Sequence, residues 1–323
     1  MSEPILRVRD LMVEYATSNG PAQAVHGVNL DLAEGEFLAI VGESGCGKST
    51  LLFAIAQLLS YPASIVGGSI TFNGVDLTSL DPEELRRHRW RDISVVMQSA
   101  MNALNPTISI GAQLADACKA HTDWDDKRIR QRSEEVLAMV SIDRVHLKSY
   151  PFQLSGGMRQ RAMIAMALLL EPRLVIMDEP TSALDVVAQR SLMRQVESLR
   201  HELGFSVLFV THDMSVVSHF SDRLAVMYAG EVVELDTTRE VFDHPQHPYS
   251  QGLMDAFPSL LGEARQLTGI AGTPPALVDP PPGCLFAPRC AHVMDVCRTT
   301  RPDLITRGTR AVRCHLVNPP GAL

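Results

Sequence analysis

Short apolar runs bounded by glycine recur along the chain and mark its strands. Residues 5–9 (ILRVR) and 36–41 (EFLAIV) predict the first two. GESGCGKST and then LLFAIAQLL follow the second, so the local order is strand, glycine-rich loop, helix. Residues 69–77 (SITFNGVDL) alternate around Asn73-Gly74 and predict a hairpin. SVVMQ (94–98) predicts a further short strand. RLVIMDE (173–179) and SVLFVTH (206–212) do not alternate, as parallel strands covered on both faces do not. Helix-period sequence at 185–203 and 213–221 joins them into βαβ units. RLAVMYAGEVVEL (223–235) predicts two closing strands turning at Ala229-Gly230.

This order is broken twice. Residues 99–159 are polar, charged and helix-periodic, as in DDKRIRQRSEEVLAMV. They predict a helical subdomain inserted into an α/β core made of 1–98 and 160–235. From 236 the chain turns proline-rich, with HPQHPY, GTPP and DPPPG, and 236–323 reads as a small loop-rich extension.

Composition narrows the class. With 46% apolar and 20% charged residues the chain is an ordinary globular one, neither disordered nor collagen-like. The longest apolar run, 162–170, is about half of what a membrane span needs. MSEPILRVRD carries no apolar signal segment, so a cytosolic chain is expected. A net charge of −8 gives no electrostatic footprint for nucleic acid.

Three stretches carry chemistry. Gly42-Glu-Ser44-Gly45-Cys46-Gly47-Lys48-Ser49, with Thr50 after it, fits the phosphate-binding loop in full and lies between a strand and a helix. Its glycines let backbone N–H groups turn inward around phosphate oxygens. The helix starting near Lys48 presents its positive end to the same anion. In such a loop Lys48 reaches the β- and γ-phosphates and Ser49 ligates Mg²⁺. Asp178 and Glu179 end an apolar strand, where a parallel sheet places its ligands. Asp178 suits the Mg²⁺-facing role and Glu179 can polarise an attacking water. Ser155-Gly156-Gly157 precedes RQRAMIAMALLL, giving an N-cap and two exposed N–H groups, a second anion site.

Taken in order, these motifs resemble the ATP-binding subunits of ABC transporters. The resemblance runs over 5–235: phosphate loop 42–50, Gln98, LSGGM at 154–158, the acidic strand end at 174–179, Ser182-Ala183-Leu184-Asp185, and His212. Met158 departs from the general pattern, which has Gln there. QSAMNALNP (98–106), residues 149–168, HPQHPYSQGLM (244–254) and the cysteine-containing tail resemble the oligopeptide/dipeptide importer branch, in which Met158 is common.

The resemblance implies a RecA-like P-loop NTPase core with an inserted helical subdomain. It implies that Tyr15 stacks on adenine, that Gln98 touches Mg²⁺ or the lytic water, and that His212 holds the γ-phosphate. Ser155, Gly156, Gly157 and Asp185 would serve the ATP of a facing subunit. The catalytic set is thus Glu179, His212, Gln98 and Lys48, and the Mg²⁺ set Ser49, Gln98 and Asp178. Implied partners are two transmembrane permease subunits, a second ATPase subunit of related sequence and, indirectly, an extracytoplasmic binding protein. The implied place is the cytoplasmic face of the membrane. Di- or oligopeptides are the branch's default substrate, with oligosaccharides, nickel and glutathione as alternatives. An ABC ATPase acting on DNA or ribosomes is a distant alternative; such proteins carry long insertions or paired cassettes, and neither is present.

Cys284, Cys290, Cys297 and Cys314 crowd into the last forty residues. In a reducing compartment such a group favours a metal over disulfides. Four thiolates suit either tetrahedral Zn²⁺ or an iron–sulfur cluster, and the spacing matches neither set of common motifs. The importer branch implies a [4Fe-4S] cluster. The tail's six arginines would offset its negative charge. His315, beside a cysteine, reads as a neighbour of the site. Cys118 reads as an apolar helix residue, and His244 and His247, between prolines, as turn residues.

Overall fold

The computed structural model describes residues 3–98, 103–182, 184–256 and 269–319. Ala183 and residues 99–102 of the predicted motifs lie outside the described residues. The chain divides into two compact units.

One unit takes 5–31, 38–78 and the chain from 210 onward. It holds β1 (Leu6–Thr17), β2 (Gly20–Leu32), β3 (Phe37–Val41), β4 (Ala63–Phe72) and β5 (Val75–Asp76), with α1 (Lys48–Ile55) between β3 and β4. One sheet has the order β2-β1-β4-β5. Its Asn73-Gly74 turn has both residues at positive φ, as a two-residue hairpin requires. The strand at 5–9 is longer than predicted because it continues past Asp10 through register shifts between Arg9 and Val13. β2 was not predicted, because Gly20–Leu32 is interrupted by Gly27 and His26 and offers no clean apolar run.

The second sheet of this unit takes the order β11-β12-β10-β9-β3, from β9 (Arg223–Tyr228), β10 (Glu231–Thr237), β11 (Ile305–Arg307) and β12 (Arg310–Val312). β3 and β9 run parallel, and all five residues of β3 are buried. The turn predicted at Ala229-Gly230 joins β9 to β10, both residues at positive φ. The extension therefore adds two strands to the sheet that carries the phosphate loop.

Arginines bind the extension down. Arg310 pairs through Nε with Asp236 Oδ2 (2.6 Å) and through Nη2 with Glu240 (3.1 Å). Arg301 and Arg313 flank buried Glu231 at 3.6 and 3.8 Å. Burial works against the charge of Asp236, yet Arg310, the Thr237 N–H and the Thr309 hydroxyl hold its carboxyl below the usual range. Arg301, Arg310 and Arg313 thus serve carboxylates of β10 and Glu240. Arg310→Ala leaves the buried Asp236 without its cation and is expected to cost about 2 kcal/mol, read as a lower melting temperature.

The other unit takes 32–37 and 79–209. β6 (Ile93–Val96), β7 (Leu174–Asp178) and β8 (Ser206–Val210) lie in the order β8-β7-β6, with β6 and β7 parallel. Helices α2 (Pro82–His88), α3 (Ile110–His121), α4 (Asp126–Met139), α5 (Gly156–Ala167) and α6 (Val186–Leu203) complete it. Cys118 is buried on α3, as expected of an apolar packer. Arg132 of α4, itself buried, donates to the carbonyls of Leu168 and Leu169 just past α5. That pair of bonds ties α4 to the chain leaving α5.

Candidate functional site

The phosphate loop begins where β3 ends. Gly42 and Gly47 both have positive φ, and a Cβ on either would collide with a backbone carbonyl, that of Met227 and of Ala24 respectively. Only glycine fits there. Gly47 caps α1, so Lys48 is the first helical residue. Lys48 is buried, and its Nζ donates to the carbonyls of Gly42 (2.8 Å) and Glu43 (2.9 Å). Cys46 is buried; its carbonyl accepts from Gly230 N–H, and burial pushes its thiol up. Ser44 and Gly45 are exposed at the loop's tip, and Ser49 and Thr50 continue α1. The Tyr15 hydroxyl lies 3.1 Å from Thr50 Oγ1, which brings the predicted adenine platform to this helix. His212, in the same unit, is exposed just before Asp213, the cap of α7 (Met214–Phe220).

In the other unit Asp178 closes β7 and is buried. Glu179 follows at φ 45, a backbone region that non-glycine residues seldom adopt. Gln98 Nε2 donates to Glu179 Oε2 at 2.9 Å, so these two predicted residues meet. Ser155 caps α5 by accepting from Met158 N–H, leaving Gly156 and Gly157 in its first turn. No heavy atom lies within 4 Å of where a Cβ on Gly157 would stand, so this face is open. Asp185 is exposed and caps α6 through Ala188 N–H at 2.8 Å.

The four tail cysteines line one cavity of about 310 Å³, open mouth included, together with His247, His292 and His315. No two of the chain's cysteines are joined. Among the described residues, no three His, Cys, Asp or Glu side chains are arranged to hold a single metal ion. Cys284 N–H donates to the Cys297 carbonyl (2.8 Å), a close approach that a side chain on Gly283 would block. Burial, aided by the other cysteines, pushes the Cys284 thiol up to about 11 and raises Cys290 and Cys314. His315 Nε2 donates to the Thr300 carbonyl, 3.0 Å away. Four soft thiols facing one pocket are, by their chemistry, a donor set suited to a metal centre.

Four residues near these sites were not foreseen. His247, read as a turn residue, is buried in the cavity wall, and its Nδ1 accepts from Tyr249 N–H at 3.0 Å. Burial holds its imidazole neutral, lowered to about 3. Tyr249 on α8 (Pro248–Asp255), Phe286 and Arg289 pack behind the phosphate loop. The one sequence signal for His247 and Tyr249 is the HPQHPY motif, which shows no chemistry until folded; Phe286 and Arg289 lie outside it.

Residues 25–182 match the ABC transporter family, and 233–297 match the oligopeptide/dipeptide transporter C-terminal region. The dipeptide transport ATP-binding protein DppD of Bacillus subtilis is 45% identical over 97% of this chain and 95% of its own. The oligopeptide transport ATP-binding protein OppD of Escherichia coli is 42% identical over 93% and 90%. The dimeric ATP-binding cassette MJ0796, in a post-hydrolysis state with ADP and phosphate, aligns with a TM-score of 0.65 at 30% identity, covering 72% of this chain and 99% of that one. Fold and motifs together define an ABC ATPase cassette, an enzyme that hydrolyses ATP. Over nearly its whole length the chain belongs to the oligopeptide/dipeptide branch of ABC transporter ATP-binding subunits.

Proposed function

We propose that this subunit hydrolyses ATP to power import of di- or oligopeptides through two transmembrane permease subunits, at the cytoplasmic face of the membrane. The observation that carries this is the full-length likeness to dipeptide and oligopeptide transport ATP-binding proteins, tail included. The described residues contain no helix long and apolar enough to cross a membrane, so translocation falls to partners. A second, related ATPase subunit completes the pair, and a binding protein delivers substrate indirectly. Residues 1–98 and 160–235 act as the ATPase core, 99–159 as the helical subdomain and 236–323 as the extension.

In the reaction ATP and water give ADP and phosphate. The phosphate-loop N–H groups and Lys48 hold the β- and γ-phosphates, with Tyr15 against adenine. Glu179 takes up the proton of the attacking water, and Gln98, bonded to it, orients its carboxylate. His212 steadies the γ-phosphate. Ser49, Asp178 and Gln98 are the ligands for Mg²⁺, which would neutralise phosphate charge. Ser155, Gly156, Gly157 and Asp185 face the partner's nucleotide; the open face at Gly157 supports this. Cells carrying the gene should take up a labelled dipeptide, and cells lacking it should not. Equal uptake by both would overturn the peptide reading.

Cys284, Cys290, Cys297 and Cys314 are the ligands of a [4Fe-4S] cluster in this reading, a cross-link more than an electron carrier. Their soft donor set and their shared pocket support it. Protein purified without oxygen should be brown and yield about four irons and four sulfides per chain. A colourless protein with one zinc would replace the cluster by a zinc staple.

A further inference from the structure

Glu43, the second residue of the phosphate loop, is gripped by the C-terminal extension from two sides. Arg289 forms a fork on its carboxylate, Nη1 to Oε2 at 2.8 Å and Nη2 to Oε1 at 2.9 Å. This guanidinium is only 4% exposed. Its other donors go to the carbonyls of Ala271 (2.8 Å) and Ile270 (3.0 Å), and it lies 5.7 Å from the Tyr228 ring and 5.9 Å from that of Phe286. Tyr249, fully buried, accepts the Glu43 N–H at its hydroxyl, 2.9 Å away. The Glu43 carbonyl in turn receives Lys48. Every polar group of Glu43 is therefore committed, and two of its holders belong to the extension.

Both holders reach the cysteine cavity within one step. Arg289 precedes Cys290 in the chain. Tyr249 N–H is bonded to His247, which lines the cavity, and Phe286 lines it too while packing on Tyr228, Tyr249 and His247 at 5.2–5.8 Å. A bidentate pair with a buried guanidinium is directional, unlike a surface ion pair.

We propose that Arg289 and Tyr249 are positioning residues for ATP: they fix Glu43 and so the phosphate loop, and they link nucleotide affinity to the order of the cysteine cavity. Neither side chain needs to touch nucleotide. Linkage is reciprocal, so bound nucleotide must also steady the cysteine cavity. The inference rests on residues 42–50 binding ATP, and its first arm does not require the cavity's metal to be known.

The test uses the full chain purified without oxygen and a fluorescent ATP analogue. Arg289→Ala should raise Kd and KM about tenfold, within the range of such couplings, with kcat little changed. Arg289→Lys, which keeps charge but loses the fork, should recover part of the affinity. Arg289→Ala with Glu43→Gln should be no worse than either alone. Arg310→Ala, which loosens the same extension elsewhere, should lower the melting temperature and leave Kd within about twofold. In the second arm, a saturating non-hydrolysable ATP analogue should slow reaction of the tail cysteines with a thiol reagent in wild type and not in Arg289→Ala. An Arg289→Ala Kd equal to wild type, or a Kd loss matched by Arg310→Ala, overturns the proposal. Absence of ATP binding by the wild type overturns the phosphate-loop reading beneath it.

Discussion

Replacing Glu179 with Gln lowers steady-state ATP hydrolysis by about 10²- to 10⁴-fold while ATP binding persists. The carboxylate sits one residue beyond buried Asp178, on a backbone turned to φ 45, and accepts from Gln98. A glutamine keeps the size and can keep a hydrogen bond with Gln98, but it takes no proton from water at neutral pH. The amide variant should therefore retain the binding surfaces and lose the chemistry. Two measurements check this. One is turnover against binding of a fluorescent ATP analogue. The other is chromatography with ATP and the related ATPase subunit, in which the pair should stay together because the state that ends with hydrolysis now persists. Unchanged turnover would remove Glu179 from the catalytic role.

Gly47→Ala should abolish ATP binding at concentrations that saturate wild type, and cost about 2–3 kcal/mol of stability. Gly47 has φ +100, and an added methyl would overlap the Ala24 carbonyl. Gly47 is also the N-cap of α1, so any shift carries Lys48 and the first helical N–H groups with it. Gly45→Ala serves as a control: its φ is also positive, yet nothing lies near its Cβ. It should lose stability through backbone strain alone and keep measurable nucleotide affinity. Titration of the ATP analogue and thermal unfolding separate the two.

Features carried by adjacent residues were legible in the sequence. The phosphate loop, the capping serine of α5 and the acidic end of β7 each need particular residue types side by side, and the structure puts each at the expected element junction. The hairpin at Asn73-Gly74 was legible because positive φ at both positions selects that pair, and the turn at Ala229-Gly230 because a glycine parts two apolar runs; Ala229 itself takes a φ that alanine seldom adopts. What stayed hidden depends on distance. Glu43 and Arg289 are 246 positions apart, and neither side chain alone announces a partner. Nor does the tail announce that Arg301, Arg310 and Arg313 pair with Glu231, Asp236 and Glu240. His247 reads as one more polar turn residue until burial of the whole imidazole is known. β2 was missed because its inward positions are separated by His26, Gly27 and Asn29.

The sheet order β11-β12-β10-β9-β3 also bears on how the protein is made. β10 ends at Thr237, and β12, the strand that pairs with its other edge, begins only at Arg310. A ribosome adding about 5–20 residues per second needs several seconds to cover that stretch. Until Arg310–Val312 exists, that edge of β10 has no strand partner of its own. A chain ending before Arg310 therefore leaves Val232, Val233 and Leu235 on a strand with one row of backbone groups unmatched, a template for pairing with another chain.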